Sequence, residues 1–388
     1  MGNQEIILIE SEKDLTLVVS DLSQKSEIAV DLEFDNNRYR YGFTLCLIQV
    51  ATRSHCYIID PFKCKNLDGL FDVFRNQQIT KIMHCPGEDL RLLHSMGCYP
   101  QQVLDTDFCG RLLNYENPSL ANLLGQLFNI TLDKRHQTSN WHNRPLSREQ
   151  VEYAAMDVLW LFELKDFLWN RIEHTRLFEV LLDEIQYLNE VRYQPGDKEN
   201  LLTKADRAAL TDHDQFVLNE LLKFRDKMAS VFNLPPAHVI SNSLMRMIVS
   251  GEIDLNDWVN QKDMYSAIKN EKFQRMIQKE YQQALRQAKE KNILKIKSRA
   301  KREEDEMGES MLFNKAEILA LKEKYLRPVQ QELMRMFGEH TGKFLLGEGV
   351  SNDIIRGKNR IRDLKGRKRQ ELILETAESL GIDLGAYC

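Results

Sequence analysis

Between residues 28 and 34 the chain alternates strictly: Ile28, Val30, Leu32 and Phe34 fall on one face of an extended segment, and Ala29, Asp31 and Glu33 on the other. Period two predicts a strand that points two carboxylates the same way. Apolar runs near 5–9, 44–50, 55–59 and 79–84 predict further strands, and helical patterns cover 12–24, 66–76, 87–96, 102–114, 119–128, 148–171 and 175–190. Helices and strands interleaved in this way predict an α/β domain over residues 1–192, with a mixed central sheet covered on both faces. The polar, turn-rich Tyr193-Gln194-Pro195-Gly196-Asp197-Lys198 marks a linker. Residues 208–290 carry helical runs and no strand pattern, which predicts a separate all-α domain. From 291 to 388 the chain is charged and then helical, and partly basic.

Polar residues inside these apolar segments carry the chemistry. Ile79 to His84 reads as a buried strand, Pro86 and Gly87 break it, and Asp89 lies in the first turn of the helix that follows. Tyr153 and Asp157 are four apart in a run without Pro or Gly and therefore share a helix face. Singly, each has an ordinary explanation. An acid in a first turn is commonly a dipole partner, and Tyr with Asp at helical spacing is commonly core plus surface. Asp31 and Glu33 are harder to dismiss, because like charges on one face of a central strand repel and are costly to desolvate unless a cation offsets them. Together the three segments predict that Asp31, Glu33, Asp89 and Asp157 converge on hard divalent ions. Mg²⁺ or Mn²⁺ suits such carboxylates, whereas zinc recruits Cys or His, so the alternative set His84, Cys85, His94 and Cys98 is disfavoured.

The same residues resemble a known family. Asp31-Leu32-Glu33-Phe34 with Leu45, Leu47, Ile48 and Gln49 is similar to the first motif of the DEDD exonuclease superfamily and, within it, of the ribonuclease D family. Lys81-Ile82-Met83-His84 through Glu88-Asp89-Leu90 resembles the second motif, and Arg144-Pro145-Leu146, Gln150 and Tyr153-Ala154-Ala155-x-Asp157-Val158 the third. The tyrosine subclass is implied, since Glu152 stands where the other subclass has its histidine; Asn140 before Trp141 departs from the family's usual Asp. The resemblance covers residues 5–170 strongly. It implies a ribonuclease-H-like fold and a two-metal 3′→5′ exoribonuclease acting on RNA 3′ ends, tRNA precursors among them. Asp31 would bridge the ions, Glu33 and Asp157 would complete one site, Asp89 would hold the second ion, and Tyr153 would orient water. Leu218, Leu221, Leu222, Arg225 through Ala229, Asn233 to Pro236, and Val239-Ile240 resemble an HRDC nucleic-acid-binding domain; a second such unit after residue 290 is a weaker likeness.

Composition fits an intracellular enzyme, and charge becomes informative once the chain is divided. Residues 1–200 hold 20 Lys+Arg against 30 Asp+Glu, net −10, while 201–388 hold 33 against 28, net +5, so a polyanion is drawn to the second half. Lys134, Trp141 and Arg144 between the motifs are candidate phosphate or base contacts, as are Arg367, Lys368 and Arg369 after the Gly366 turn. The charged run from Lys295 to Glu306 reads as a solvated helix or connection. Seven cysteines without a C-x-x-C pair predict reduced thiols. No apolar run approaches the roughly 20 residues of a membrane helix, and the first residues lack a secretion pattern, so a cytoplasmic protein is expected. Two competing functions stay open on sequence: a DNA exonuclease using the same site, because no 2′-OH reader is identifiable, and a catalytically dormant nucleic-acid-binding scaffold.

Overall fold

The computed structural model describes residues 4–133, 135–194, 199–296 and 315–388. By contacts the chain forms two compact units. The first comprises Met1–Phe34, Leu45–Gln194 and Ser310–Cys388, and the second Asp35–Thr44 and Pro195–Glu309. Lys134, residues 195–198 of the expected linker and most of the charged run before Glu306 lie outside the described residues.

The first unit is built on a six-stranded sheet: β1 (Glu5–Ile9), β2 (Glu27–Asn36), β3 (Phe43–Ala51), β4 (His55–Ile59), β5 (Thr80–Met83) and β6 (Val103–Asp105), in the order β1-β4-β3-β2-β5-β6. β1 runs parallel to β4 with Ile9 opposite Ile59, β4 is antiparallel to β3, and β2, β5 and β6 are parallel. The sheet is therefore mixed, as the interleaved pattern predicts. Its helices are α1 (Glu12–Leu22), α2 (Asp68–Arg75), α3 (Gly87–Ser95), α4 (Thr106–Leu112), α5 (Leu120–Phe128), α6 (Arg148–Leu159), α7 (Leu161–Ile172) and α8 (Phe178–Glu190). Both faces of the sheet are covered: on β3 every residue from Leu45 to Ala51 is buried, as strands packed on two sides require. Leu32 is buried too and belongs to the packing, while Phe34 is half-buried.

Two boundaries differ from the expected ones. The helix foreseen from residue 102 begins only at Thr106, because Val103–Asp105 pairs with β5 as a short edge strand. The long helix foreseen over 148–171 breaks at Trp160, whose backbone (φ −104°, ψ 1°) leaves the helical well between α6 and α7.

The C-terminal helices pack into the same core as the sheet. Leu333, Leu345, Ile354 and Ile373, from helices Arg327–Phe337, Glu339–Leu345, Glu348–Ile355 and Arg367–Ser379, join Ala29, Cys46, Ala155, Val158 and Leu161 in one cluster. Asn114 accepts from the backbone N–H groups of His340 and Thr341 at 2.7 and 3.2 Å and so caps Glu339–Leu345. Gly338 is required there, since a Cβ would lie 2.3 Å from the Asn114 side chain. The presumed phosphate grip at Gly366 is corrected by the same packing. Asp183 accepts from the Lys368 N–H at 2.9 Å, and Arg369 donates to the carbonyls of Leu345 and Phe344 at 2.8 and 3.1 Å. Arg367 and Lys368 remain at the surface, paired with Glu371.

The second unit is helical over Asp212–Phe232, Pro236–Val239, Asn242–Ser250 and Glu271–Glu290, around Leu218, Leu221, Met245, Trp258 and Ile277. Among the described residues no helix is long and apolar enough to cross a membrane.

Arg144 is the main correction to the expected surface contacts. Its guanidinium grips Asp60 through Nε and Nη2 at 2.6 and 2.9 Å, and donates to the carbonyls of Trp141, Asn143 and Cys46. Asp60 is 1% exposed. A guanidinium so engaged ties the loop before α6 to β3 and to the end of β4, and has no donor to spare for a phosphate. Arg144→Ala leaves the Asp60 carboxylate buried and unpaired, which should cost about 3–5 kcal/mol of stability; urea unfolding monitored by circular dichroism checks this, and a loss below about 1 kcal/mol, the level of a surface pair, would contradict it.

Candidate active site

β2 carries Asp31 and Glu33 at alternate positions, on one face as the alternation predicts. Helix α6 starts at a reciprocal cap: the Ser147 hydroxyl accepts from the Gln150 N–H at 3.2 Å, and the Gln150 side chain accepts from the Ser147 N–H at 3.1 Å. That cap fixes the helix start, and Tyr153 and Asp157 project one turn apart from the same side. Asp31, Glu33 and Asp157 each offer an oxygen within 4.8 Å of the others.

Asp89 reaches this group by a different route. The parallel register between β2 and β5 runs from Glu27–Thr80 to Ala29–Ile82, and β5 ends at Met83. Three residues past that ladder on β2, the Leu32 N–H hydrogen-bonds the Asp89 carboxylate as well as that of Asp31. The turn that delivers α3 is pinned by Asp105, which accepts from the N–H groups of Cys85 and Asp107, both at 2.9 Å. Cys85 itself adopts a left-handed conformation (φ 54°). Asp105 went unnoticed in the sequence, as did Asp60; in each case the signal available was a lone acid at the end of an apolar run, Val-Leu-Asp and Ile-Ile-Asp.

The electrostatics are those of crowded anions. Burial, then the charges of Asp89, Asp157 and Glu33, pushes Asp31 well above the usual carboxylate range. Burial, then Asp157 and Asp89, does the same to Glu33. Asp89 and Asp157 are pushed up to about 7, chiefly by burial. Tyr153 hydrogen-bonds Asp157, and burial together with the charges of Asp157, Glu33 and Asp31 raises its phenol above the ordinary value. The hydroxyl therefore stays protonated at neutral pH. Trp141, 3% exposed, lies against the Tyr153 ring with centroids 6.1 Å apart, and His136 lies at the same distance. Trp141 is thus core that positions Tyr153, not a base-stacking surface.

The charges that raise Asp31 and Glu33 are those of neighbouring carboxylates, and with Asp89 and Asp157 these side chains form an oxygen-only donor set. That set fits hard divalent cations, which would offset the repulsion and return all four groups to the ionised form. Among the described residues no other group of three His, Cys, Asp or Glu offers ligand atoms so close together.

Comparison with known proteins points the same way. Residues 6–173 match a family of 3′-5′ exonuclease domains. The chain is 30% identical over 266 residues to the exosome complex exonuclease RRP6 of Saccharomyces cerevisiae, covering 63% of this chain and 36% of that protein. It is 33% identical over 172 residues to ribonuclease D of Escherichia coli, covering 43% and 45%. The chain thus spans less than half the length of either relative. The crystal structure of Escherichia coli RNase D, described as an exoribonuclease involved in structured RNA processing, superposes with a TM-score of 0.70 over 97% of this chain and 98% of that one, at 20% identity. The shared feature there is the fold: an α/β domain with a mixed central sheet followed by helical segments.

Raised carboxylate pKa values have a definite consequence for stability. A folded state that holds protons more tightly than the unfolded chain loses stability as pH climbs from the unfolded value, about 4, to the folded value near 7, and stays at that lower level above it. A divalent cation that binds the ionised cluster removes this penalty. MnCl₂ should therefore raise the thermal midpoint by several degrees at pH 8 and by much less at pH 5. Differential scanning fluorimetry at the two pH values measures it, and an equal shift at both would contradict the assignment.

Proposed function

We propose that this protein, whose residues 6–173 match a family of 3′-5′ exonuclease domains and which is similar to ribonuclease D and RRP6, is a metal-dependent 3′→5′ exoribonuclease that removes nucleotides from RNA 3′ ends. Structured precursors such as tRNA are the substrate class that the relatives suggest. The observation that carries the reading is the meeting of Asp31, Glu33 and Asp157 within 4.8 Å, with Asp89 sharing the Leu32 amide beside them.

Two Mg²⁺ or Mn²⁺ ions are the cofactors this donor set suits; when bound, such a pair activates water and offsets charge on the departing oxygen of a phosphodiester. Asp31, central in the cluster and facing the other three acids, is assigned the shared ligand. Glu33 and Asp157 complete one position, and Asp89 supports the other. Tyr153 keeps its proton, donates it in a hydrogen bond to Asp157, and offers its oxygen to orient the attacking water. It is a positioner and not a base. Trp141 and His136 hold the ring in that attitude.

The helical domain over residues 208–290 we read as an HRDC-like module that retains RNA, its boundary with the exonuclease domain 1–192 lying at the Pro-Gly linker. The basic second half of the chain supports that reading.

Oligonucleotides of RNA and DNA labelled at either end, incubated with Mg²⁺, Mn²⁺ or EDTA, test the proposal. Mononucleotides should leave the RNA 3′ end and cease to do so in EDTA; products from internal cleavage, or none under any metal, would overturn it. Asp31→Ala should lower the rate by about 10³-fold or more while leaving RNA affinity largely intact. Tyr153→Phe should cost only about 10- to 100-fold, the range for a group acting through its neighbours, and a wild-type rate in Asp31→Ala would remove the mechanism.

A further inference from the structure

Within the first unit, a cavity of about 490 Å³ opens where β2 and β5 begin, a size within the roughly 300–1,000 Å³ usual for small-molecule sites. Glu27 and Thr80 stand opposite each other there in the parallel register, and Gln102 comes just before β6, the next strand over. Trp169 of α7 and Ile185 of α8 form the wall. Glu27 precedes Asp31 by four residues on β2, about 13 Å at about 3.3 Å per residue. The cavity is therefore separate from the carboxylate cluster.

Its charged groups are committed to one another. Glu27 accepts from Lys165 at 2.7 Å and from the Arg53 Nε at 3.0 Å, and Asp166 pairs with the same two cations at 2.7 and 2.9 Å. Lys165 is the one cation among the described lining residues, so a phosphate or carboxylate finds no unpaired positive charge. The uncharged polar groups are free by contrast. Among the described residues neither the Thr80 hydroxyl nor the Gln102 side-chain amide has a hydrogen-bond partner, although both line the cavity. Each can donate and accept.

The walls are fixed before any ligand arrives. Gln102 has a left-handed backbone (φ 54°), uncommon for a residue with a side chain, and the Asn189 side chain holds it there by accepting from its N–H at 2.7 Å. Gln101 donates to the Asn189 carbonyl at 3.2 Å, which ties this loop to the end of α8. The Trp169 indole N–H donates to Glu173 at 3.0 Å, and the Phe178 ring meets the indole at 89° with centroids 5.2 Å apart. Little ordering entropy is left to be lost on binding.

These features select a ligand. Trp169, Leu104 and Ile185 suit a flat apolar face, Thr80 and Gln102 suit an edge on which donors and acceptors lie side by side, and the paired charges disfavour an anion. A nucleobase has such a face and such an edge. We propose that this cavity binds an uncharged nucleoside, with its base against Trp169 and its polar edge on Thr80 and Gln102. Occupancy there requires neither metal ions nor turnover.

Isothermal titration calorimetry with adenosine, in EDTA, tests this on the full-length protein, on Thr80→Val and Gln102→Glu, which keep the shape of the side chain, and on Asp31→Ala. Circular dichroism reads the fold of each variant. Adenosine should bind at one per chain, and Thr80→Val and Gln102→Glu should each weaken it by about tenfold, the loss of one hydrogen bond. Asp31→Ala should bind it as the wild type does, and neither inorganic phosphate nor a twelve-nucleotide single-stranded RNA should displace it. No binding by the wild type, displacement by either competitor, loss in folded Asp31→Ala, or undiminished affinity in folded Thr80→Val and Gln102→Glu would overturn the nucleoside site. Should a variant fail to fold, the wild-type and competition measurements still decide.

Discussion

Mutual repulsion among Asp31, Glu33, Asp89 and Asp157 is the constraint to which the surrounding structure answers. Like charges brought together and desolvated are unfavourable, and here each of the four is displaced upward. A fold tolerates such a cluster only if the positions are over-determined by neutral packing and backbone hydrogen bonds. That is what the neighbourhood supplies. β2 is locked between β3 and β5, the reciprocal cap at Ser147 and Gln150 sets the phase of α6, and Asp105 fixes the turn that brings in Asp89. The Leu32 amide, shared by Asp31 and Asp89, is a fixed positive dipole offered to two of the acids.

The remainder of the first unit acts as a buttress. Arg144 spends its donors on Asp60 and three carbonyls, which ties the approach to α6 to the sheet. The C-terminal helices return to the same core, with Thr341 donating to the Arg111 carbonyl at 2.9 Å and Lys365 paired with Glu184 at 2.6 Å. Sequence-distant segments therefore share the load, and the site's rigidity is a property of the whole unit. Precise placement matters because catalysis by charge stabilisation rewards groups that need not reorganise during the reaction.

Much of the site was legible in the sequence because its geometry is local. Strand alternation alone put Asp31 and Glu33 on one face, and a four-residue spacing did the same for Tyr153 and Asp157. Their convergence was an inference from chemistry, since periodicity says nothing about which elements meet. What escaped was non-local. Three residues of β6 are too few to display a period, and Trp160 carries no Pro or Gly to announce the break after α6. Arg144 and Trp141 looked like surface groups until Asp60 and Tyr153 proved to be their neighbours. The basic run at Arg367–Arg369 hid the fact that Asp183, far away in sequence, had already taken the helix's free amide. Apolar stripes on the C-terminal helices foretold packing, but not that the partner would be the sheet-bearing unit.

The central claim is that these four acids form one cation-binding unit, and counting bound ions tests it most directly. Titration of the protein with MnCl₂ at pH 7.5, with free Mn²⁺ quantified by electron paramagnetic resonance, should saturate at two ions per chain, and Asp31→Asn should lose both. A wild-type chain that binds no Mn²⁺, or an Asp31→Asn chain that binds as many ions with undiminished affinity, would contradict the account.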